Sequence, residues 1–455
     1  MTTFLAPGAK VHIVGIGGAG MSGLARLLVE MGAVVSGSDQ SESSVLDSLR
    51  ERGVRIDVPH DAVNVANAEV VLWSPAVALD NVELEAARAR GAVLLSRSAA
   101  LAELGSLRRI IGLTGTHGKT TATSMLVHVL GASGRDDGRL LGAEVLGVGA
   151  NGHWSDGDLL VEVDESFGTF GLLRPYALGL LNVEADHLDF YGSLETLDRA
   201  FTDLLDRVSG PVVVWSDDAG AQRVAERSTS AVVRVGRGES VDWRVGDEVL
   251  GRRTSSFRLV GPSGAIEVTL RVTGAHNVAN AAVVAVLSIL LGARAEDVVR
   301  GLARFEGAPR RFQYCGAWHG VDVYEDYAHL PGEISATLEA TRAAGYERIT
   351  AVFQPHRVTR TLNLGAAFAP AFDLARHVVV TDIYPAGEPN PDGVTGELVA
   401  QALRERRGPD TVRYCSTLDG VAPILATLRE QSDVVVVLGA GDVGAVAWQL
   451  TGGEQ

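Results

Sequence analysis

Cysteine is almost missing. Cys315 and Cys415 are the only two in 455 residues. That excludes a disulfide framework and a cysteine-built zinc site, and accords with a reducing cytoplasm. Basic residues are also in deficit: Lys+Arg number 40 against Asp+Glu 56, a net charge of -16. A general nucleic-acid binder needs a basic footprint, so none is expected here. A small anionic substrate stays open, because local Arg and Lys override the global field. Long apolar runs are lacking too. The longest, Ala281 to Ala293, is broken by Ser288 and falls short of the roughly 20 residues a bilayer requires. No basic stretch followed by an apolar run stands at the N-terminus, so no secretory signal and no membrane insertion are expected. Neither solenoid repeats nor low-complexity tracts occur.

What is present is alternation. Short β-rich runs (Val11–Ile16, Val34–Ser38, Glu69–Trp73, Val93–Leu95) are separated by helical stretches such as Ser22–Met31 and Asn81–Arg90. The pattern resumes with strands at Arg109–Thr114, Leu159–Val163, Ala177–Asn182 and Val212–Trp215, and again at Val321–Glu325, Ile349–Phe353, Val378–Asp382 and Val434–Leu438. Continuous apolar strands with intervening helices predict α/β domains with parallel sheets covered on both faces. At roughly 100–200 residues per domain, three are expected, with limits 1–104, 105–309 and 310–455 and a hinge at Gly307-Ala308-Pro309. Residues 231–273 alternate and read as antiparallel β. The glycine-rich stretch Gly131–Gly152 reads as a surface loop.

Two glycine turns carry most of the chemistry. The first, Gly15-Ile16-Gly17-Gly18-Ala19-Gly20-Met21-Ser22, lies between a strand and a helix. Glycine lets the backbone approach a diphosphate, and the free N–H groups of a helix start supply donors. Asp39 closes the next strand at the spacing of a ribose-binding acid. By itself this turn identifies a diphosphate binder, with a nicotinamide dehydrogenase as one candidate. The second is Gly115-Thr116-His117-Gly118-Lys119-Thr120-Thr121. Its N–H groups can cradle phosphates, Lys119 can reach the β- and γ-phosphates, and Thr120 can ligate Mg²⁺. Leu113 stands where the longer phosphate-loop pattern has its first glycine. Hydride transfer has no use for ATP, so a second phosphate loop argues against a simple dehydrogenase.

Further polar clusters follow apolar strands. Asp164-Glu165-Ser166 is placed to hold a cation. Glu184, Asp186, His187 and Asp189 gather beyond the next strand. His276, Asn277 and Asn280 open a helix, where Asn alone is often a cap. Arg310-Arg311-Phe312-Gln313 sits at the expected hinge. Glu325-Asp326-Tyr327-Ala328-His329 and Phe353-Gln354-Pro355-His356-Arg357-Val358-Thr359-Arg360 each follow a strand, where open α/β sheets place their ligands.

Taken in order, these motifs resemble those of the Mur ligase family over most of the chain. The resemblance implies a Rossmann-like UDP-sugar domain, a central ATPase domain and a C-terminal α/β domain that brings an amino acid. It implies ATP-driven amide formation through an acyl phosphate, in cytoplasmic peptidoglycan precursor synthesis. UDP-N-acetylmuramate and L-alanine would be the substrates, and Mg²⁺ the metal. By this resemblance Gly17, Gly18, Ala19, Gly20, Met21 and Ser22, with Asp39 and the Ser74-Pro75-Ala76 turn, hold the UDP-sugar. Gly115 to Thr121 bind ATP together with His276, Asn277, Arg311 and Asp326. Thr120, Glu165 and His187 hold metal. Lys119, His187, Arg311, His329, His356, Arg357 and Arg360 complete the catalytic set. Sister branches carry a carbamylated lysine beyond the fourth motif; Thr202 stands there instead, which favours the alanine-adding branch. Two departures from the family pattern are Phe167, where another Asp is usual, and Leu330-Pro331-Gly332-Glu333, where a second His begins His-Pro-Thr-Glu. A tripeptide-recycling ligase and an inactive homologue acting as a binding protein are the competing readings. The chain is expected to work as a monomer or homodimer on small molecules alone.

Overall fold

The first five strands line up in the spatial order Arg55–Asp57, Val34–Ser38, Lys10–Val14, Val70–Trp73, Val93–Ser96, every pair parallel. Chain order reverses direction at Lys10–Val14, so a crevice opens beyond its C-terminal end. The first glycine turn leaves the sheet there, and the helix Ala19–Glu30 follows. Its inner face (Met21, Leu24, Ala25, Leu27, Leu28) is buried in the domain core. The structure, a computed structural model, describes residues 3–262 and 264–453, with Phe167 and Asp189 described by their backbone only.

The second sheet has ten strands. Its centre is Ile110–Thr114, flanked in parallel by Leu159–Val163 and Ala177–Leu180, with Val212–Trp215 and Val232–Gly236 beyond the latter. All five residues of Ile110–Thr114 are buried, as a strand covered on both faces must be. Helices Lys119–Ala132, Ala275–Leu290 and Ala295–Arg304 belong to this domain.

Two expectations are corrected. Residues 231–273 are not antiparallel throughout: Val232–Gly236 pairs parallel with Val212–Trp215, and Trp243–Leu250 starts parallel to Val232–Gly236. The strand alternation is right, but period-2 alternation does not encode direction. Nor is Gly131–Gly152 a surface loop. The helix before it runs to Ala132, and Gly138–Leu140 joins the sheet beside Leu159–Val163 while pairing antiparallel with Gly152–His153. Leu140, Leu141 and Val145 are buried. At Gly152 glycine marks close backbone approach: a Cβ there would meet Gly23 O.

The third sheet runs in the order Gln313–Trp318, Val321–Asp326, Val434–Leu438, Ile349–Phe353, His377–Thr381, Val412–Cys415; only its first pair is antiparallel. The chain forms two compact units. One holds residues up to Val249 with Ser256–Arg271 and Ala275–Glu306. The other holds Leu250–Ser255, Val272–Gly274 and everything from Gly307. Among the described residues no helix is long and apolar enough to cross a membrane.

Candidate active site

The first turn is built by the sheet's switch point. Ser74 N–H donates to Val14 O at 3.2 Å, which brings the Ser74-Pro75-Ala76 turn beside the glycine turn. Asp39 Oδ2 accepts from Gly17 N–H at 2.8 Å. The acid thus fixes the turn's backbone, a role the sequence spacing alone did not suggest. The Arg97 guanidinium lies over Gly20. Gly18 and Ala19 are exposed at the helix start, while Met21 and Ser22 are buried beneath it.

The second turn is more tightly furnished. Gly118 adopts φ 84 before the helix Lys119–Ala132, a left-handed conformation that glycine takes without strain. Asn182 straps the loop: its Oδ1 accepts from His117 N–H at 2.7 Å and its Nδ2 donates to His117 O at 3.0 Å. Asn280, from the helix Ala275–Leu290, packs against Gly118. Lys119 Nζ donates to Gly115 O at 2.7 Å and to Glu165 Oε2 at 2.7 Å, with Asp164 Oδ1 at 3.7 Å.

The carboxylates around Lys119 are pulled in opposite directions. Burial raises Glu165 above the usual carboxylate range, and the Lys119 ammonium offsets only part of this. Burial also acts on Asp164, but Lys119 and Arg97 outweigh it and leave the group below its ordinary value. Arg97 Nη1 stands 4.0 Å from Asp164 Oδ2. One guanidinium therefore lies between the first turn and the carboxylates of the second. Glu162 on the neighbouring strand is pushed up by burial, against the hydrogen bond from Gly142 N–H and the nearby Thr120 hydroxyl.

Glu165, Asp186 and His187 offer ligand atoms that all lie within 4.8 Å of one another. Two carboxylates and one imidazole, with a buried member raised by desolvation, suit a divalent cation. Asp186 was missed as a member by reading motifs singly. Glu162, beside Thr120 and bonded to Gly142 N–H, was missed too, because an acid inside an apolar strand reads as pattern noise. His187 has φ 52 and its Nε2 lies 3.0 Å from Ser166 Oγ. The Phe167 side chain falls outside the described residues. His276 is exposed and Asn277 buried at the start of their helix.

The remaining sequence-predicted residues belong to the second unit, where they converge. Arg311 lies over the Tyr327 ring at 5.3 Å. Asp326 accepts from Phe312 N–H at 2.6 Å and Ala328 N–H at 2.8 Å. The rings of His329 and His356 are 5.6 Å apart, and Arg360 Nη1 is 3.1 Å from His356 Nδ1. Burial, then His329 and the arginines, pushes His356 down to about 4. It is therefore neutral at pH 7 and able to accept. Arg357, at φ 70, reaches Glu388 at 3.8 Å. Leu330 caps the helix Pro331–Ala343, and Glu333 accepts from His329 and Leu330 N–H groups at 2.9 and 3.0 Å.

Three family models match the chain: "Mur ligase family, catalytic domain" over residues 10–109, "Mur ligase middle domain" over 164–288 and "Mur ligase, glutamate ligase domain" over 310–441. Among curated relatives, the UDP-N-acetylmuramate--L-alanine ligase of Thermobifida fusca is 41% identical, covering 95% of this chain and 94% of its own. That of Brucella anthropi is 38% identical over 97% and 96%. Among solved structures, a UDP-N-acetylmuramate-alanine ligase from Thermotoga maritima superposes with TM-score 0.81 at 28% identity, covering 97% and 98%. A murein peptide ligase from Psychrobacter arcticus, TM-score 0.70 at 23% identity over 97% and 98%, shares the fold.

Proposed function

The chain belongs to the Mur ligase family, and we propose that it joins L-alanine to the lactyl carboxylate of UDP-N-acetylmuramate at the expense of ATP, in peptidoglycan precursor synthesis. The observation that carries this reading is the pair of glycine turns. One is a backbone grip at a parallel-sheet switch point; the other is a phosphate loop whose lysine is held against carboxylates.

A carboxylate is a poor acyl donor. Transfer of the γ-phosphoryl group to its oxygen makes that oxygen part of a good leaving group. The alanine amine then attacks the carbonyl and phosphate departs. Little of this needs covalent help from the protein; it needs charge neutralisation and alignment. Lys119 and the N–H groups of Gly115 to Thr121 supply the first around the phosphates. Gly17 to Ser22, Asp39 and the Ser74-Pro75-Ala76 turn hold the diphosphate and ribose of the sugar nucleotide. His276 and Asn277 are assigned to the adenine, and Arg311 and Asp326 to the nucleotide. His329, His356, Arg357 and Arg360 take the amino acid, the arginines as carboxylate clamps.

A divalent cation, for which Mg²⁺ is the natural choice, would be held by Glu165 and His187 with Asp186, and by Thr120 beside Glu162. When bound it neutralises phosphate oxygens. We propose domain limits of 1–104, 105–309 and 310–455, a division that the three separate sheets support. We place the reaction in the cytoplasm, where ATP and the sugar nucleotide are made.

The test is product mass. UDP-N-acetylmuramate, ATP and Mg²⁺ are incubated with a mixture of L-alanine, glycine, L-serine and the murein tripeptide. A product heavier by one alanyl residue is expected, with one ADP per amide. Product only from the tripeptide assigns the chain to recycling instead; no product from any acceptor favours a binding protein.

A further inference from the structure

The segment expected to be a loose loop is a seam between the two glycine turns. At one end, Asn151 is buried beside the helix Ala19–Glu30. Its Nδ2 donates to Ala19 O at 2.9 Å, and its Oδ1 accepts from Arg26 Nη1 at 2.5 Å. Ala19 is the first residue of the helix that follows the first turn. Gly152 then lies in backbone contact with Gly23: a Cβ on Gly152 would sit 1.9 Å from Gly23 O. Farther along, Glu30 Oε2 accepts from Trp154 N–H at 2.8 Å. The segment thus tracks this helix from its first turn to its last.

The other end reaches the phosphate loop. Leu141 N–H donates to Asn151 O at 2.9 Å, and Leu140 pairs with both Gly152 and Val161. Gly142 N–H donates to Glu162 Oε1 at 2.9 Å; Glu162 lies on the strand Leu159–Val163, just beyond which Glu165 accepts from Lys119 Nζ of the phosphate loop at 2.7 Å. A chain of hydrogen bonds and strand pairing therefore runs from Ala19 to Lys119.

We infer that Asn151 is a positioning residue: its amide fixes the separation between the sugar-nucleotide turn and the phosphate loop, and hence the approach of the lactyl carboxylate to the γ-phosphoryl group. This rests on the ligase reading above. Asn151 touches neither substrate. Truncating it leaves each turn intact but frees Ala19 O and Arg26 from the seam. The barrier to phosphoryl transfer depends on alignment, and a displacement of about 1 Å can cost on the order of 10²-fold in rate. Binding of either nucleotide alone does not depend on the separation.

The experiment compares the whole protein with Asn151→Ala and Asn151→Asp. Asparate keeps an acceptor for Arg26 but has no N–H for Ala19 O. Calorimetry gives separate dissociation constants for UDP-N-acetylmuramate and for a non-hydrolysable ATP analogue, and turnover is measured at saturation. Both variants are expected to lose about tenfold to a hundredfold in kcat, with both dissociation constants within about threefold of the parent. Unchanged kcat in Asn151→Ala overturns the inference. So does a tenfold rise in the UDP-N-acetylmuramate constant, which would make Asn151 a binding residue. Should Asn151→Ala not fold, Asn151→Ser is read by the same criteria. The parent protein separates the two readings: inactivity with L-alanine sinks the proposed function, and the variant ratio is then taken with whichever acceptor supports turnover.

Discussion

The two glycine turns share a plan, strand then glycine then helix, and differ in what surrounds them. The first holds its backbone with an acid, Asp39, and has no lysine. The second sets Lys119 among Glu165, Asp164 and two loop carbonyls. A ligand held mainly by N–H groups gains similar energy before and during reaction, which lowers the dissociation constant without raising kcat. A cation that can leave carboxylates for a phosphoryl group in transfer contributes most in the transition state. On the proposed reading, one turn is thus a handle and the other does chemistry. The sharpest test is Lys119→Ala. It should lower kcat by at least about 10²-fold while leaving the dissociation constant for UDP-N-acetylmuramate unchanged. Loss of sugar-nucleotide affinity in that variant would erase the distinction.

The converse variant is Asp39→Ala. Removing the acceptor releases Gly17 N–H and loosens the first turn. A hydrogen bond to a charged group is worth about 1.5–3 kcal/mol, so the UDP-N-acetylmuramate constant should rise by roughly tenfold or more. At saturation, kcat should stay within about threefold of the parent. A fall in kcat without a change in affinity would mean that the first turn takes part in the chemical step. Arg97 tests the ground between them, since it lies over Gly20 and faces Asp164. Arg97→Ala should affect both quantities by a few fold each; an effect on one alone would assign the guanidinium to that turn.

The sequence exposed both turns because glycine, lysine and strand ends are local signals. The parallel sheets were legible for the same reason: Val212–Trp215 and Val434–Leu438 are apolar without interruption. What stayed hidden depends on residues distant in the chain. Asn151 reads as part of a glycine-rich loop until the helix Ala19–Glu30 is packed against it. Glu162 reads as an oddity in a buried strand until Thr120 and Gly142 N–H are seen around it. Asp39 was legible as a residue but not in its partner, because spacing predicts a ribose contact and says nothing of Gly17. Strand direction in 231–273 was misread because alternation reports one exposed face, which usually means an antiparallel pair; Trp243–Leu250 alternates in burial although its start pairs in parallel.

The smallest effect concerns the strand that leads to Asp39. Glu83 is fully buried behind Asp39. It accepts from Ser38 Oγ at 2.5 Å and Asn64 Nδ2 at 2.7 Å, with His12 Nε2 at 3.4 Å. Burial raises its carboxyl, but His12, Ser38 and Asn64 together outweigh that and bring it down to about 2. A carboxyl depressed in the folded state stabilises the fold above its unfolded value, near 4.3, and that contribution is lost as pH falls toward about 2. Between pH 5 and pH 3 the unfolded chain takes up a proton here that the folded protein does not. Urea midpoints should therefore fall more steeply over that interval in the parent than in Glu83→Gln, whatever their absolute difference. Parallel slopes would show that Glu83 is not held ionised.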